Sequence, residues 1–167
     1  MKRKIEMDEL QEAIAQHKLW DGDNSKGKKA NFSNTDLEGA DLSNAYLRRA
    51  NLSGAELTTA NLSGASLWCA DLSGAYLYRA NLKGADLEGA LLKGANLVGS
   101  NLEGAFMNGA YLDGTNLSFA NLKGADLEGA LLEGANLEGA SLIRADLTDA
   151  NLSGAWVIFQ GQRVCIQ

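Results

Sequence analysis

Four sets of residues in this chain could do chemistry, and their spacing decides which chemistry remains open. Asp21-Gly-Asp-Asn24 opens like a calcium loop, which needs Gly at its sixth position and Glu at its twelfth; counted from Asp21, those positions hold Lys26 and Phe32. The segment therefore reads as a solvated turn. His17 is the only histidine and falls in an N-terminal helical stretch, so no Ser-His-Asp set can be assembled around it. Cys69 and Cys165 lie far apart in the chain, with neither metal spacing nor a disulfide framework. Carboxylate pairs such as Asp86/Glu88 recur, but on a convex surface rather than in a cleft. The glycines never form the GxxxxGK[ST] phosphate loop. The expectation is a protein that is not an enzyme, with no cofactor and no metal.

The elements that must position these residues are unusually regular. The stretch Lys83–Gly99 returns at Lys123–Gly139 with only Lys93→Glu and Val98→Glu changed. From Ala30 to Phe159 a five-residue unit runs without a slip through 26 copies: small residue, polar residue, Leu, polar residue, usually Gly. Phe32, Met107 and Val157 replace the central Leu, and Thr35, Ser100 and Thr115 replace the small Ala. A period of five matches neither a helix nor an alternating strand. It suits a short extended side with Ala and Leu inward, followed by a corner where Gly tolerates positive φ. Such units bury nothing alone and must stack into a solenoid. The copy at a separation of forty fits coils of four units and not of three, although coils of two would fit as well; with four, 26 units make six and a half coils. The rod is then about 31 Å long at ~4.8 Å per layer.

Residues 4–20 read as a helix with Leu10, Ala13, Ile14 and His17 on one stripe, ended by Trp20 and the acidic turn. Three segments are expected: a capping helix and lead-in over 1–29, a repeat region over 30–159, and a tail or cap over 160–167. Large apolar residues from Trp156 to Phe159 suit a cap or an end-to-end contact between two copies.

Units such as Ala50-Asn-Leu-Ser-Gly54, Ala60-Asn-Leu-Ser-Gly64 and Ala70-Asp-Leu-Ser-Gly74 resemble the pentapeptide-repeat family, with its A(D/N)LXX pattern. His17-Lys-Leu-Trp20 and Gly27-Lys-Lys-Ala-Asn31 look like the segment preceding the repeats in many bacterial members. The resemblance implies an all-β solenoid: a right-handed quadrilateral parallel β-helix of about six and a half coils with an N-terminal capping helix. It also implies an interaction or structural role, or, in a small subset, mimicry of DNA towards DNA gyrase. That subset commonly dimerises through a C-terminal helix, for which this tail is too short.

With twenty residues per coil, positions twenty apart stack. Asn61, Asn81, Asn101 and Asn121 form one column and Asn96, Asn116 and Asn136 another, both suited to amide ladders. Lys83, Glu103 and Lys123 alternate in sign up the stack. Leu91, Tyr111 and Leu131 occupy the outward slot usually held by Asn or Asp, with Tyr76, Tyr78, Val98 and Phe119 on the adjacent side. These are candidates for a partner surface, or else apolar residues tolerated along the stack. Asp86, Glu88, Asp126, Glu128, Asp146 and Asp149 form an acidic side, the candidate DNA-like face. The repeats hold seven Lys/Arg against fifteen Asp/Glu, a net −8, whereas B-DNA of this length carries about 18 charges at one per ~1.7 Å. The acidic side is thus a partial mimic at best, and a solvated face is the simpler reading. Neither a basic face for nucleic acid nor an apolar run long enough for a membrane helix is present in the sequence. The expected partner is an unidentified protein, the expected setting the cytosol, and the expected state a monomer or an end-to-end homodimer through the C-terminal end.

Overall fold

Residues twenty apart pair in parallel: Asn61 with Asn81, Leu91 with Tyr111, Asp126 with Asp146. One coil therefore has four sides of five residues. Side one holds 30–34, 50–54 and onward; side two starts at 35, side three at 40 and side four at 45 of the first coil. The structure, a computed structural model, describes residues 2–23, 25–159 and 162–166.

Each unit spends its backbone groups in a fixed way. The second residue donates back to the coil below, as Asn81 N–H does to Ala60 C=O at 2.9 Å, and the central Leu donates onward, as Leu82 does to Asn101 C=O at 2.7 Å. A bond from Ala60 N–H to Leu57 C=O, 3.0 Å, closes the corner. The fifth residue sits at positive φ at every corner from 34 to 154, the type II turn pattern. Nine of these are not glycine, Arg49 (φ 60°) and Phe119 (φ 59°) among them. Left-handed backbone costs a bulky residue about 1–2 kcal/mol.

The fifth residue also donates onward, as Gly64 does to Lys83 C=O at 2.9 Å, which leaves over the N–H of the fourth residue, and the second residue supplies its acceptor. All sixteen Asn or Asp residues in the second slot accept that N–H through Oδ1, at 2.9–3.3 Å. The Asn/Asp preference thus serves the turn. Amide ladders run Asn81 to Asn61 (3.0 Å), Asn101 to Asn81 (3.3 Å) and Asn121 to Asn101 (3.1 Å). Asn96, Asn116 and Asn136 stack without such bonds among the described residues, so only one of the two expected ladders forms. Lys83 pairs with Glu103 at 3.5 Å, the one rung of the expected charge ladder found among the described residues.

The inward Ala and Leu residues form one continuous core, with Leu42 to Leu97 almost wholly buried. Two small polar residues replace Ala differently. Thr115 donates Oγ1 to Leu92 C=O at 2.8 Å, whereas the buried Ser100 Oγ has no partner. An unpaired buried hydroxyl costs roughly 1–3 kcal/mol. Ser100→Ala should therefore raise the urea midpoint, by about 1 kcal/mol in stability.

Both ends are finished by non-repeat chain. β1 (Arg3–Lys4) pairs parallel with β2 (Thr35–Asp36), extending side two by one layer. α1 spans Met7–Gly22, later at both ends than expected. Pairing of β1 with the first coil removes residues 3–4 from the helix, and the bonds of Asp21 described below anchor its last turn. Leu10 joins the core, with Ala13 and Ile14 packed against it and His17 buried. At the other end β3 (Trp156–Phe159) folds back antiparallel on β4 (Gln162–Cys165) instead of making another corner. Ile166 then stands where a next coil would, accepting Gly154 N–H at 2.9 Å and donating to Ala155 C=O at 2.7 Å. Above sides three, four and one the last turn has no further coil, and Leu142, Leu147 and Leu152 are only half-buried. Residues 160, 161 and 167 of the expected tail lie outside the described residues.

Candidate interaction surface

Leu91, Tyr111 and Leu131 stack directly, with Asp71 below and Asn151 above. Leu91 is 38% exposed, Tyr111 45%, and Leu131 half-buried. Asp71 and Asn151 keep the carboxyl or amide bond to their own turns. Among the described residues no side chain takes the N–H of Lys93, Asp113 or Glu133, which turn over the three apolar residues. Three successive layers of side one thus forgo a bond that the layers beneath and above retain.

Sequence reasoning missed a fourth member. Phe106, 54% exposed, fills the second slot of side four, bridged to Asp86 below and Asp126 above. The register rule that singles out Leu91, Tyr111 and Leu131 also finds Phe106. Its presence interrupts the acidic column: Asp86/Glu88 lie on one side of it and Asp126/Glu128, Asp146 and Asp149 on the other. Asp86, Asp126 and Asp146 each hold their own turn N–H. Asn108, next to Phe106, donates Nδ2 to Asp126 at 2.8 Å.

The side-two candidates are not brought together with the ridge. The Lys2 ammonium lies 4.0 Å from the Tyr76 ring and pairs with Glu56 at 3.5 Å. Arg79 covers the Tyr78 ring at 5.1 Å. Phe119 stands two coils further on at the corner between sides two and three, 63% exposed, with its ring over Gly139. A Cβ at Gly139 would meet that ring at 2.6 Å, so Phe119 and Gly139 are matched. Val98 is half-buried.

Two carboxylates of the acidic turn have structural roles. Asp21, its side chain almost fully buried, accepts from Tyr46 Oη at 2.7 Å and from the Arg49 guanidinium, with Arg48 at 4.0 Å. Burial alone would raise its carboxyl, but the Tyr46 and Arg49 hydrogen bonds and the two arginine charges hold it below the usual range. Arg48 also covers Trp68 at 4.8 Å and Arg49 covers Trp20 at 5.1 Å. Asp23 is taken by Ser25 and Lys26. Arg48 and Arg49, at the N-terminal end of side four, thus serve to lock α1 onto the first two coils.

His17 completes that lock. Its Nδ1 accepts Ala30 N–H at 3.1 Å and its Nε2 donates to Arg48 C=O at 2.9 Å, which fixes the neutral Nε2–H tautomer. Burial lowers its pKa, against the opposing pull of the Arg48 carbonyl and the Asp21 charge. The folded protein therefore resists protonation of a ring that the unfolded chain protonates near pH ~6.5. Its stabilisation is complete above about pH 6.5 and is lost as the pH falls below that value. Urea unfolding should show stability declining as the pH falls below about 6.5, a slope that His17→Gln flattens.

A cleft of about 520 Å³ between α1 and the lead-in is lined by Glu9, Glu12, Gln16, Lys28 and Lys29 among others. It offers charged side chains but no nucleophile beside a base. Cys69 and Cys165 are both free and exposed. Among the described residues no group of three His, Cys, Asp or Glu could hold a metal, and no helix is long and apolar enough to cross a membrane.

Comparison with known proteins bears on the rod as a whole. No curated protein matches the chain. Among solved structures, HetL, a pentapeptide repeat protein involved in heterocyst differentiation regulation in the cyanobacterium Nostoc sp. strain PCC 7120, is 30% identical, with 77% of this chain and 78% of that one covered and a TM-score of 0.44. Rfr23, a pentapeptide repeat protein of the cyanobacterium Cyanothece 51142, is also 30% identical, with 75% and 88% covered and a TM-score of 0.46. The family described as pentapeptide repeats matches in eight copies, over residues 28–64, 55–94, 90–129 and 120–155. Those matches span the coils built above, so this chain belongs to the pentapeptide-repeat family and is a right-handed quadrilateral β-helix.

Proposed function

We propose that the protein is a non-enzymatic, cytosolic interaction module that holds a protein partner on sides one and four. The observation that carries this reading is the ridge of Leu91, Tyr111 and Leu131, where three consecutive layers give up a turn-closing bond to present apolar side chains. A solvated rod has no use for that exchange, since Asn would serve the turn better at each position. DNA mimicry is the weaker alternative: the acidic column is interrupted by exposed Phe106, and its charge falls well short of a duplex. The half-buried Leu142, Leu147 and Leu152 support the open C-terminal end as the place where a second copy would stack. Affinity capture tests the ridge directly, with parent protein and a Leu91→Asn/Tyr111→Asn/Leu131→Asn variant as baits. A specific partner retained by the parent and absent with the variant is expected; equal recovery by both baits would remove the ridge from the account.

A further inference from the structure

The net charge of the repeats is concentrated around the ridge. On sides one and four, from Ala70 to Asp149, there are nine carboxylates and one lysine, Lys93; the remaining repeat residues hold six of each sign. Leu91, Tyr111, Leu131 and Phe106 are the large apolar side chains in the second slots of this acidic surface. We propose that the ridge receives a cationic amphipathic α-helix, with aliphatic anchors on the apolar residues and Lys or Arg on the flanking carboxylates. The inference rests on the interaction-module reading and adds the chemistry of the partner.

Spacing selects a helix over a strand. Residues stacked in successive coils are about 4.8 Å apart, so Leu91, Tyr111 and Leu131 present contacts at roughly 0, 4.8 and 9.6 Å along the rod. A helix rising 1.5 Å per residue places positions i, i+3 and i+7 at roughly 0, 4.5 and 10.5 Å. Same-face residues of an extended strand fall at roughly 0, 6.7 and 13.4 Å and drift out of step by the third contact. The surrounding carboxylates add charge complementarity and a faster encounter.

The test uses the full chain and a synthetic Leu/Lys peptide of roughly four helical turns, with leucines at i, i+3, i+4 and i+7. Its controls are the same peptide with Glu for Lys, and oligolysine of equal charge. The Leu/Lys peptide should bind the parent at least about tenfold more tightly than either control. Binding should weaken about tenfold in the Leu91→Asn/Tyr111→Asn/Leu131→Asn variant, whose circular dichroism should match the parent's. Oligolysine binding as tightly as the Leu/Lys peptide would overturn the proposal in favour of charge alone. Undiminished binding to the triple variant would also overturn it, as would self-association of the parent that the triple variant abolishes, since the occupant would then be a second copy. A lysate partner lost with the triple variant, together with no binding of the Leu/Lys peptide, would leave the interaction module standing and remove the cationic helix.

Discussion

Gly27→Ala is expected to detach α1 from the first coil. Gly27 has φ +68°, and a Cβ built there would lie 2.1 Å from Gln16 C=O, 2.8 Å from Leu19 Cβ and 2.9 Å from Trp20 N. Two of those atoms are backbone of α1, so no rotamer change relieves the contact. Left-handed backbone costs about 1–2 kcal/mol and overpacking about 1–3, together roughly 2–5 kcal/mol. The helix is held by a short set of contacts around His17, Asp21 and Leu10, so the loss falls on the cap. Hydrogen exchange should show the amides of Met7–Gly22 losing protection while mid-rod amides keep theirs. Gly104→Ala is the control: its φ is +64°, but its Cβ would meet nothing within 4 Å. It should lose only the conformational term.

The second large effect lies in the middle of the rod. Leu97 is fully buried in the side-two column of central leucines. Leu97→Ala removes its contacts with the coils on both sides and leaves a cavity that rigid neighbouring turns cannot collapse into, so a loss of about 3–4 kcal/mol is expected. Because each coil touches only its neighbours, that loss divides the stack near its centre. Urea unfolding should show a lower midpoint and can lose its single-transition form. Leu147→Ala, at the half-buried open end, should lose about half as much.

The coils were legible in the sequence because their rule is local and repeated. Ala and Leu at fixed places specify the inside, the fifth residue specifies the corner, and the forty-residue near-copy points to four sides. The outward columns followed from the register, including the stacking of Leu91, Tyr111 and Leu131. What escaped depends on contacts between distant parts of the chain. Asp21 looked like the start of a solvated turn because Tyr46 and Arg49, its partners, are more than twenty residues away. Tyr76 stays 47% exposed, but nothing in its own unit announces the Lys2 ammonium 4.0 Å from its ring. The strand at Arg3–Lys4 is too short for any periodicity to reveal. Phe106 is a different case, since the register already placed it among the acidic residues of side four. The chemical reason for Asn and Asp in the second slot, the leftover N–H at each corner, became visible only in three dimensions. It changes the meaning of the Asn-for-Leu comparison: the apolar residues of side one stand where Asn would serve the fold better.

That comparison is also the most direct test. On the proposed interaction-module reading, Leu91, Tyr111 and Leu131 serve a partner and not the coil. Their simultaneous replacement by Asn restores three turn acceptors, each worth about 0.5–1.5 kcal/mol, against the loss of partly exposed apolar contacts along the stack. Equilibrium urea unfolding of the Leu91→Asn/Tyr111→Asn/Leu131→Asn variant should return a stability equal to the parent's or about 1 kcal/mol above it. A fall of more than about 2 kcal/mol would mean that the ridge packs for the rod's own stability, and would contradict its assignment as a partner surface.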